Sequence, residues 1–179
     1  IFSFSSGSAS KGGEWTGKLF FIDYDGDSRV SKTPLEKTQL LNYFKKLGTK
    51  KEEILKAKIW KHPLSYLPGS LGDWHEYTVV ESTNWYWSFE KQTDGIYVQR
   101  SKKEADVKNK LYGEDRSWRI GPEGRSNDNV EYEETIYNII EWIINRKALD
   151  KTYHVLKSNC HFFASLVYQA IVRDSGRRL

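Results

Sequence analysis

The 179-residue chain is 38% hydrophobic and 29% charged, which is enough apolar material for one domain with a sizeable core and excludes a disordered chain. Its net charge of +4 is modest and its Lys and Arg residues form no long basic arm, so the composition gives no support for a nucleic-acid partner. No apolar run approaches the roughly 20 residues of a membrane-spanning helix, and no signal-peptide core opens the chain.

The chain has a single cysteine, Cys160, and no methionine. One cysteine excludes a disulfide within the chain, and with it a stapled extracellular scaffold. A chain that begins at Ile1 without Met indicates a processed product or an excised domain, whose upstream sequence could carry a targeting signal. Localisation and oligomeric state therefore stay open at this stage, and membrane association has no support in the sequence.

The first 72 residues predict an N-terminal extension with an acidic turn and two helices, packed on a core formed by residues 73–179. The predicted elements, in chain order, are a Ser- and Gly-rich tail, a strand, two helices and a loop, at 1–17, 18–22, 34–47, 49–60 and 62–72. The first helix would follow a Thr33 cap, and the second would begin with a capping pair of Thr49 and Glu52.

Three acids stand at alternate positions after the predicted first strand: Asp23, Asp25 and Asp27. This spacing resembles the start of an EF-hand loop, where alternate oxygens meet one Ca²⁺ ion. The match fails at Ser28, where the loop needs Gly, and at Pro34, where a bidentate Glu should stand. We therefore favour a tight acidic turn over a Ca²⁺ site, and we expect no required cofactor.

From residue 73 the pattern changes to period two, which predicts a meander of aromatic and β-branched strands. Three strands are predicted, at 74–82, 85–91 and 96–101. His75, Tyr77 and Val79 share one face of the first strand. A polar connection over 102–129 and a helix with an acidic first turn over 131–146 follow.

The stretch around Cys160 predicts a short strand over 153–156, an N-cap at Ser158–Asn159 and a helix that begins with the thiol. The apolar positions that follow recur at helical spacing and indicate a core-facing stripe: Phe163, Ala164, Val167 and Ile171. Because first-turn N–H groups and the helix dipole favour an anion, a thiol placed here ionises more easily, which a nucleophile requires. A buried cysteine that serves only as a small hydrophobe is the alternative.

A nucleophilic cysteine needs a base, and four histidines compete for that role. His161 lies about 100° round the helix from Cys160 and points away, His62 lies in a predicted loop, and His154 lies on the strand before the nucleophile. His75 is on a core strand that a packed sheet could present to a helix N-terminus, so we choose it. A sheet histidine held by a neighbour, without a catalytic role, is an equal alternative.

A histidine on the first strand of a meander, followed far downstream by Asn-Cys at the start of a helix, resembles the circularly permuted papain-fold thiol enzymes. These include the lecithin–retinol acyltransferase-like proteins and the PPPDE peptidases. The matching pieces are Trp74-His75 and the run Asn159-Cys160-His161-Phe162-Phe163-Ala164. The family's order, histidine before cysteine, holds here, and the resemblance covers residues 73–172. It implies an α+β, permuted papain-like fold in which an antiparallel β-meander packs on the helix that starts at the cysteine.

The resemblance implies roles for the two central residues. Cys160 would be the nucleophile and His75 the base. The backbone N–H of Cys160 would be one oxyanion donor, as its place at a helix N-terminus also suggests, with Asn159 in support.

The third member of the site is less determined. The acyltransferase-like branch has a second histidine on the next strand, which this sequence lacks. Glu90 is the candidate there to orient His75 and stabilise its cation, and Ser88 and Gln99 are weaker candidates. The missing histidine favours a peptidase or amidase over phospholipid acyl transfer.

The predicted function is a cysteine-dependent hydrolase, a thiol peptidase or amidase with an acyl-enzyme intermediate and a peptide or protein substrate. One alternative is a lipid-directed acyltransferase or phospholipase of the same fold. Another is a non-catalytic binding module, linked to Ca²⁺ through the acidic turn. The aromatic residues Trp85, Tyr86 and Trp87 could wall a cleft, but core packing is the commoner role of such side chains.

Overall fold

A mixed six-stranded sheet with four α-helices forms the α+β fold of the computed structural model, which describes residues 16–25, 29–63, 74–116, 134–151 and 159–174. The strands are β1 (Leu19–Asp25), β2 (Arg29–Leu35), β3 (Ile54–Pro63), β4 (Trp74–Ser82), β5 (Tyr86–Gln92), β6 (Gly95–Ser101), and the short pair β7 (Lys110–Leu111) and β8 (Glu114–Asp115). The helices are α1 (Lys37–Lys46), α2 (Glu104–Asn109), α3 (Ile136–Asn145) and α4 (Cys160–Asp174), with single 3₁₀ turns at Thr49–Lys51 and Ala148–Asp150.

The six strands lie in the order β2-β1-β6-β5-β4-β3. Strands β3 to β6 form one antiparallel meander, β1 joins β6 in parallel, and β2 pairs antiparallel with β1. The predicted three-stranded meander is therefore confirmed, and β3 adds a fourth strand to it.

The two faces of this sheet differ in chemistry. One face is apolar and packs residues such as Phe21, Val80 and Trp87 against α1, α3 and α4 in the main core. Since side chains alternate along a strand, Tyr77 and Glu90 lie on the opposite face. That second face is covered by α2 and the residues after it: Val107 packs on Tyr77, whose hydroxyl donates to the Lys108 carbonyl oxygen. The candidate site is assembled mainly from this polar face.

The prediction of a helix over 49–60 is wrong, because only a 3₁₀ turn forms at Thr49–Lys51 before the chain enters β3. The β3–β4 register shifts between Ile54 and Lys56, which is an irregularity of the bulge type. The shift leaves Ile54 and Ala57 both buried, three positions apart, and this spacing imitates one face of a helix. Pairing along β4 then overrides the helix preference of the Lys- and Glu-rich sequence.

Other boundaries differ from the prediction as well, and the helix predicted from 131 begins at Ile136. The first helix begins at Lys37 rather than 34, because Pro34 belongs to β2 and Glu36 forms a capping box with Gln39. The supposed loop from 62 begins inside β3. The supposed connection over 102–129 contains α2, β7 and β8. The predicted strand over 153–156 and the tail over 1–15 lie outside the described residues.

Strands from both sides of the predicted division at residue 73 share the one sheet. Strands β1, β2 and β3 precede that position, and β3 pairs with β4 from His62–His75 to Ile54–Ser82. Helix α1, from the first part of the chain, also packs on α3. The residues that come before 73 thus contribute half of the strands that support the site.

Candidate thiol–imidazole site

Strand β4 carries His75 beside a gap in the sheet. The β4–β5 ladder covers only Thr78–Glu81 on β4, so the residues around His75 are paired with β3 but not with β5. His75 is 3% exposed. A ring this deeply buried needs hydrogen-bond partners from the protein.

Helix α4 begins at Cys160 because Asn159 caps it. The Asn159 side-chain Oδ1 accepts from the backbone N–H of Phe162 at 3.0 Å, and its carbonyl oxygen accepts from Phe163 N–H at 3.1 Å. Cys160 therefore occupies the first helical position, whose N–H has no acceptor within a helix. Phe163 and Val167 then fix the apolar side of α4 in the main core.

Two contacts anchor the start of α4 to β4. The Thr78 hydroxyl donates to the Ala164 carbonyl oxygen at 3.1 Å, and the His161 ring Nδ1 lies 3.0 Å from the Glu76 Oε1 atom. The predicted outward direction of His161 is consistent with this pairing, since it contacts Glu76 rather than the thiol. The anchors hold Cys160 against the residues of β4 that β5 leaves unpaired.

At that position the thiol contacts β4 through backbone and side chain. The Cys160 Sγ lies 3.7 Å from the carbonyl oxygen of Trp74, and the backbone N–H of Glu76 hydrogen-bonds to the sulfur. The thiol and the His75 imidazole also hydrogen-bond to each other. The predicted pair is thus brought together, from residues 85 positions apart along the chain.

Glu90 holds the other side of the His75 ring. Its Oε2 atom lies 2.7 Å from His75 Nε2, and the carboxylate is fully buried. An ionised carboxylate can only accept, so Nε2–H is the donor. This bond leaves Nδ1 to face Cys160, which gives the order thiol, imidazole, carboxylate that a triad requires.

Two residues that the sequence reasoning missed complete the surroundings of Glu90. Arg116 donates through Nη1 to Oε2 at 3.0 Å and through Nη2 to Oε1, while its guanidinium stacks 3.9 Å from the Tyr77 ring centroid. Gln92 donates through Nε2 to Glu90 Oε2 at 2.8 Å and lies 3.1 Å from His75 Nε2. Alternation from Glu90 could have indicated Gln92, but nothing in the sequence around Arg116 pointed to the site.

Burial and the Cys160–His75 hydrogen bond act in opposite directions on both groups. Burial raises the pKa of Cys160, but the hydrogen bond and charge of His75 lower it by more, to about 7. Burial lowers the pKa of His75, but Cys160 and Glu90 together raise it to about 9. Between these values the favoured state of the pair is a thiolate and an imidazolium.

The same opposition keeps Glu90 charged. Burial raises the pKa of its carboxyl, but the charge of Arg116 and the hydrogen bonds from His75 and Arg116 hold that pKa well below its usual range. Burial lowers the pKa of Arg116, and Glu90 raises it by more. The four groups thus alternate in sign, Arg116⁺, Glu90⁻, His75⁺, Cys160⁻, and the buried cluster has no net charge.

The other candidates for support lie elsewhere. Gln99 is buried and donates to the Ser88 hydroxyl at 2.9 Å and to the Lys110 carbonyl oxygen at 2.9 Å, while its Oε1 accepts from Tyr24. These bonds tie β6 to β5, β1 and the residues after α2. Gln99 and Ser88 therefore connect elements beneath the site and make none of the described contacts to His75 or Cys160.

Of the remaining histidines, His62 is nearer to the site than the sequence indicated. It pairs with His75 across β3 and β4, with the ring centroids 5.2 Å apart. His154 lies outside the described residues. Two of the aromatic residues expected at a cleft or in the core have different surroundings. Trp87 is fully buried in the core, whereas the ring of Trp85 contacts the cations of Arg100 and Lys102.

The acidic turn shows a different use for its first carboxylate. Asp23 receives two hydrogen bonds of 2.8 Å from the Arg100 guanidinium, across the parallel β1–β6 pair. The side chain of Asp25 and all of Asp27 lie outside the described residues. Within the described part of the chain, no group of three potential ligands is placed to hold a metal ion.

No helix in the described ranges is long and apolar enough to cross a membrane. The chain matches no family model, and it shows no significant similarity to a curated protein or to a solved structure. The function is therefore inferred from the geometry of Cys160, His75 and Glu90.

Proposed function

We propose that the chain is a cysteine-dependent hydrolase, a thiol peptidase or amidase related to the circularly permuted papain-fold enzymes. The observation that carries the proposal is the buried hydrogen-bonded series Cys160–His75–Glu90, with the thiol at the first position of a helix. A nucleophile, a base and a group that orients the base are the three parts of this chemistry. Glu90, rather than a second histidine, beside His75 supports the peptidase branch over the lipid-directed one.

The reaction would proceed in two halves. The Cys160 thiolate attacks the carbonyl carbon, and the electron pair of the C=O bond moves to its oxygen. As the tetrahedral intermediate collapses, the bond to the leaving group breaks and His75 gives that group its proton, which leaves a thioester on Cys160. Neutral His75 then takes a proton from water, whose oxygen attacks the thioester and releases the acid and the thiol.

The N-terminus of α4 would stabilise the negative oxygen of the intermediates. The backbone N–H of Cys160 is at the first helical position, where the helix dipole also favours negative charge. Asn159 contributes indirectly, because its cap fixes that first turn. Glu90 holds the imidazolium in place while charge develops on the substrate oxygen. Its own carboxylate stays ionised throughout the reaction.

A chromogenic ester tests acyl-enzyme formation without knowledge of the natural substrate. We expect p-nitrophenyl acetate to give a burst of p-nitrophenolate of about one equivalent per chain at pH 8, followed by slow turnover. The burst should disappear in Cys160→Ala, and its rate constant should fall at least tenfold in His75→Gln. Cys160→Ala should retain the circular dichroism spectrum of the native protein. A burst of undiminished size in Cys160→Ala would contradict the proposal.

A further inference from the structure

Arg116 is a buried cation that the proposed chemistry does not use. It is 6% exposed, and both of its Nη atoms bond to the single carboxylate of Glu90. Its third donor, Nε–H, has no hydrogen-bond partner among the described residues. Burying a guanidinium with one donor unsatisfied costs free energy, and apolar residues in place of a buried ion pair are often as stable or more so. Fold stability alone therefore does not account for Arg116.

The contacts of Arg116 are with residues that hold His75 in place. The guanidinium lies over the ring of Tyr77, and that ring is stacked with that of His75 at 6.1 Å between centroids and 17° between planes. The guanidinium therefore fixes both Glu90, by a two-point hydrogen bond, and the aromatic ring on which the imidazole packs. A single-point cation could not set the rotation of the carboxylate in this way.

We propose that Arg116 is a positioning residue for the thiol–imidazole pair: it clamps Glu90 so that Oε2 meets His75 Nε2, and its charge balances that of Glu90. This inference rests on the proposed function, since it assigns the support of the same site. Arg116 touches neither the thiol nor the imidazole through a described hydrogen bond, so it acts through Glu90 and Tyr77.

The charge of Arg116 determines the direction in which its removal shifts the pKa of Cys160. Removing a cation from a buried cluster raises the pKa of every acid in it, so Cys160 should ionise at higher pH without Arg116. The ionisable groups that belong to this cluster or act on one of its members come from six elements: His75 and Tyr77 on β4, His62 on β3, Tyr97 on β6, Tyr24 on β1, Asp106 on α2, and Cys160 and His161 on α4. The pKa of Tyr24 is raised to about 12 by burial and that of Tyr97 is raised further, so neither titrates near neutrality. His62 is present in every variant compared, so it does not account for a difference between them.

The experiment is the pH dependence of Cys160 alkylation by iodoacetamide in Arg116→Gln and Arg116→Lys. At pH 6.5 we expect the alkylation rate to fall about tenfold in Arg116→Gln, because the apparent pKa of Cys160 rises by about one unit. A fall of at least threefold is expected in Arg116→Lys, which keeps the charge but cannot hold both carboxylate oxygens. The matched control is Arg100→Gln, which breaks another two-point arginine–carboxylate pair outside the site and should stay within twofold of wild type.

The outcomes separate this inference from the proposed function. An unreactive wild-type thiol would contradict the proposed function itself. A reactive wild type, with folded Arg116 variants whose rates lie within twofold of it at pH 6.5, would overturn only the role of Arg116. If Arg116→Gln fails to fold, the folded Arg116→Lys variant decides by the same threshold.

Discussion

The charge of each residue in the site depends on its neighbour. Cys160 and His75 are 1% and 3% exposed, and burial alone would keep both of them neutral. Their mutual hydrogen bond and the carboxylate of Glu90 reverse that preference, which is why the pKa of the thiol falls to about 7 and that of the imidazole rises to about 9. The reactive state is a property of the cluster rather than of any one side chain.

Replacement of Glu90 by Gln should be strongly destabilising. The change leaves Arg116 and the imidazolium buried without their anion, a loss that typically costs about 3–5 kcal/mol. Denaturant unfolding at pH 7 measures it, with Glu81→Gln, a partly buried carboxylate on β4, as the control that should change little.

The difference in free energy of unfolding between wild type and Glu90→Gln should depend on pH with a defined sign. Because the folded pKa of Glu90 is depressed, its stabilisation is present above the ordinary value near 4.5 and is lost as the pH falls below it. The gap between wild type and Glu90→Gln should therefore narrow at pH 3. An equal gap at pH 7 and pH 3, or no gap at pH 7, would contradict the assigned role of Glu90.

At this scale the sequence was informative where a pattern existed. The single cysteine behind a good N-cap and a histidine on a period-two strand could be selected from the residues themselves. Glu90 was selected only because the family resemblance pointed to the strand after His75. Arg116 could not be selected in either way, because it follows β8 in a segment whose polar composition predicts only a connection. Its role depends on where α2 folds back over the sheet, and that is a tertiary fact.

The element that matters most is the first turn of α4, where the cap and the thiol are adjacent residues. Asn159→Ala removes the hydrogen bond from Asn159 Oδ1 to Phe162 N–H, and loss of such a cap costs about 1 kcal/mol. We expect a matching fall in the free energy of unfolding, measured by chemical denaturation.

Asn159→Asp is the matched control, since a carboxylate also caps a helix and suits its positive end. It should retain wild-type stability, yet raise the pKa of Cys160 because it adds a negative charge beside the thiol. Equal destabilisation in the Ala and Asp variants would show that the cap does not hold this turn.

Among the elements, β3 shows how far local patterns can mislead. The helix prediction followed from a capping pair, Thr49 and Glu52, and from apolar residues at helical spacing. The structure instead pairs this segment with β4 and leaves Leu55 exposed. His62 was predicted to lie in a loop because Pro and Gly residues follow it, although the structure sets its ring beside that of His75. By contrast, β4 was predicted with its observed bounds, because it is rich in aromatic and β-branched residues and a polar turn follows it.

At the scale of the whole molecule, the sheet depends on the close approach of β1 to the β5–β6 turn. The Ile96 N–H donates to the Lys18 carbonyl oxygen at 3.1 Å, which starts the parallel pairing of β1 with β6. A Cβ atom on Gly95 would lie 2.7 Å from that same oxygen and 2.7 Å from Phe20 Cε2. Only glycine lets the two segments meet at this distance.

Gly95→Ala should therefore destabilise the fold by about 1–3 kcal/mol, as overpacking against backbone usually does. Thermal unfolding provides the measurement, with Thr93→Ala, an exposed position in the same turn, as the control that should stay near wild type. A melting temperature unchanged in Gly95→Ala would mean that β1 is not held against β6 as described.

This parallel pairing was beyond prediction from the sequence. The strand around residues 18–22 could be recognised locally, but its partner residues in β6 lie 77 positions further along the chain and follow from no local signal. The first part of the chain consequently looked like an extension, whereas its strands form one half of the sheet. Pairing between strands so far apart in sequence depends on which apolar faces of all the strands and helices must be buried together.

The measurement that tests the central claim most directly is the pH dependence of Cys160 alkylation, in wild type and in His75→Ala. We predict that the rate in wild type rises with an apparent pKa near 7, and that in His75→Ala the midpoint moves up toward about 8.5, the ordinary value of a thiol. A wild-type midpoint at that ordinary value, or a thiol that reacts only after unfolding, would contradict the thiolate–imidazolium pair and leave Cys160 a core residue.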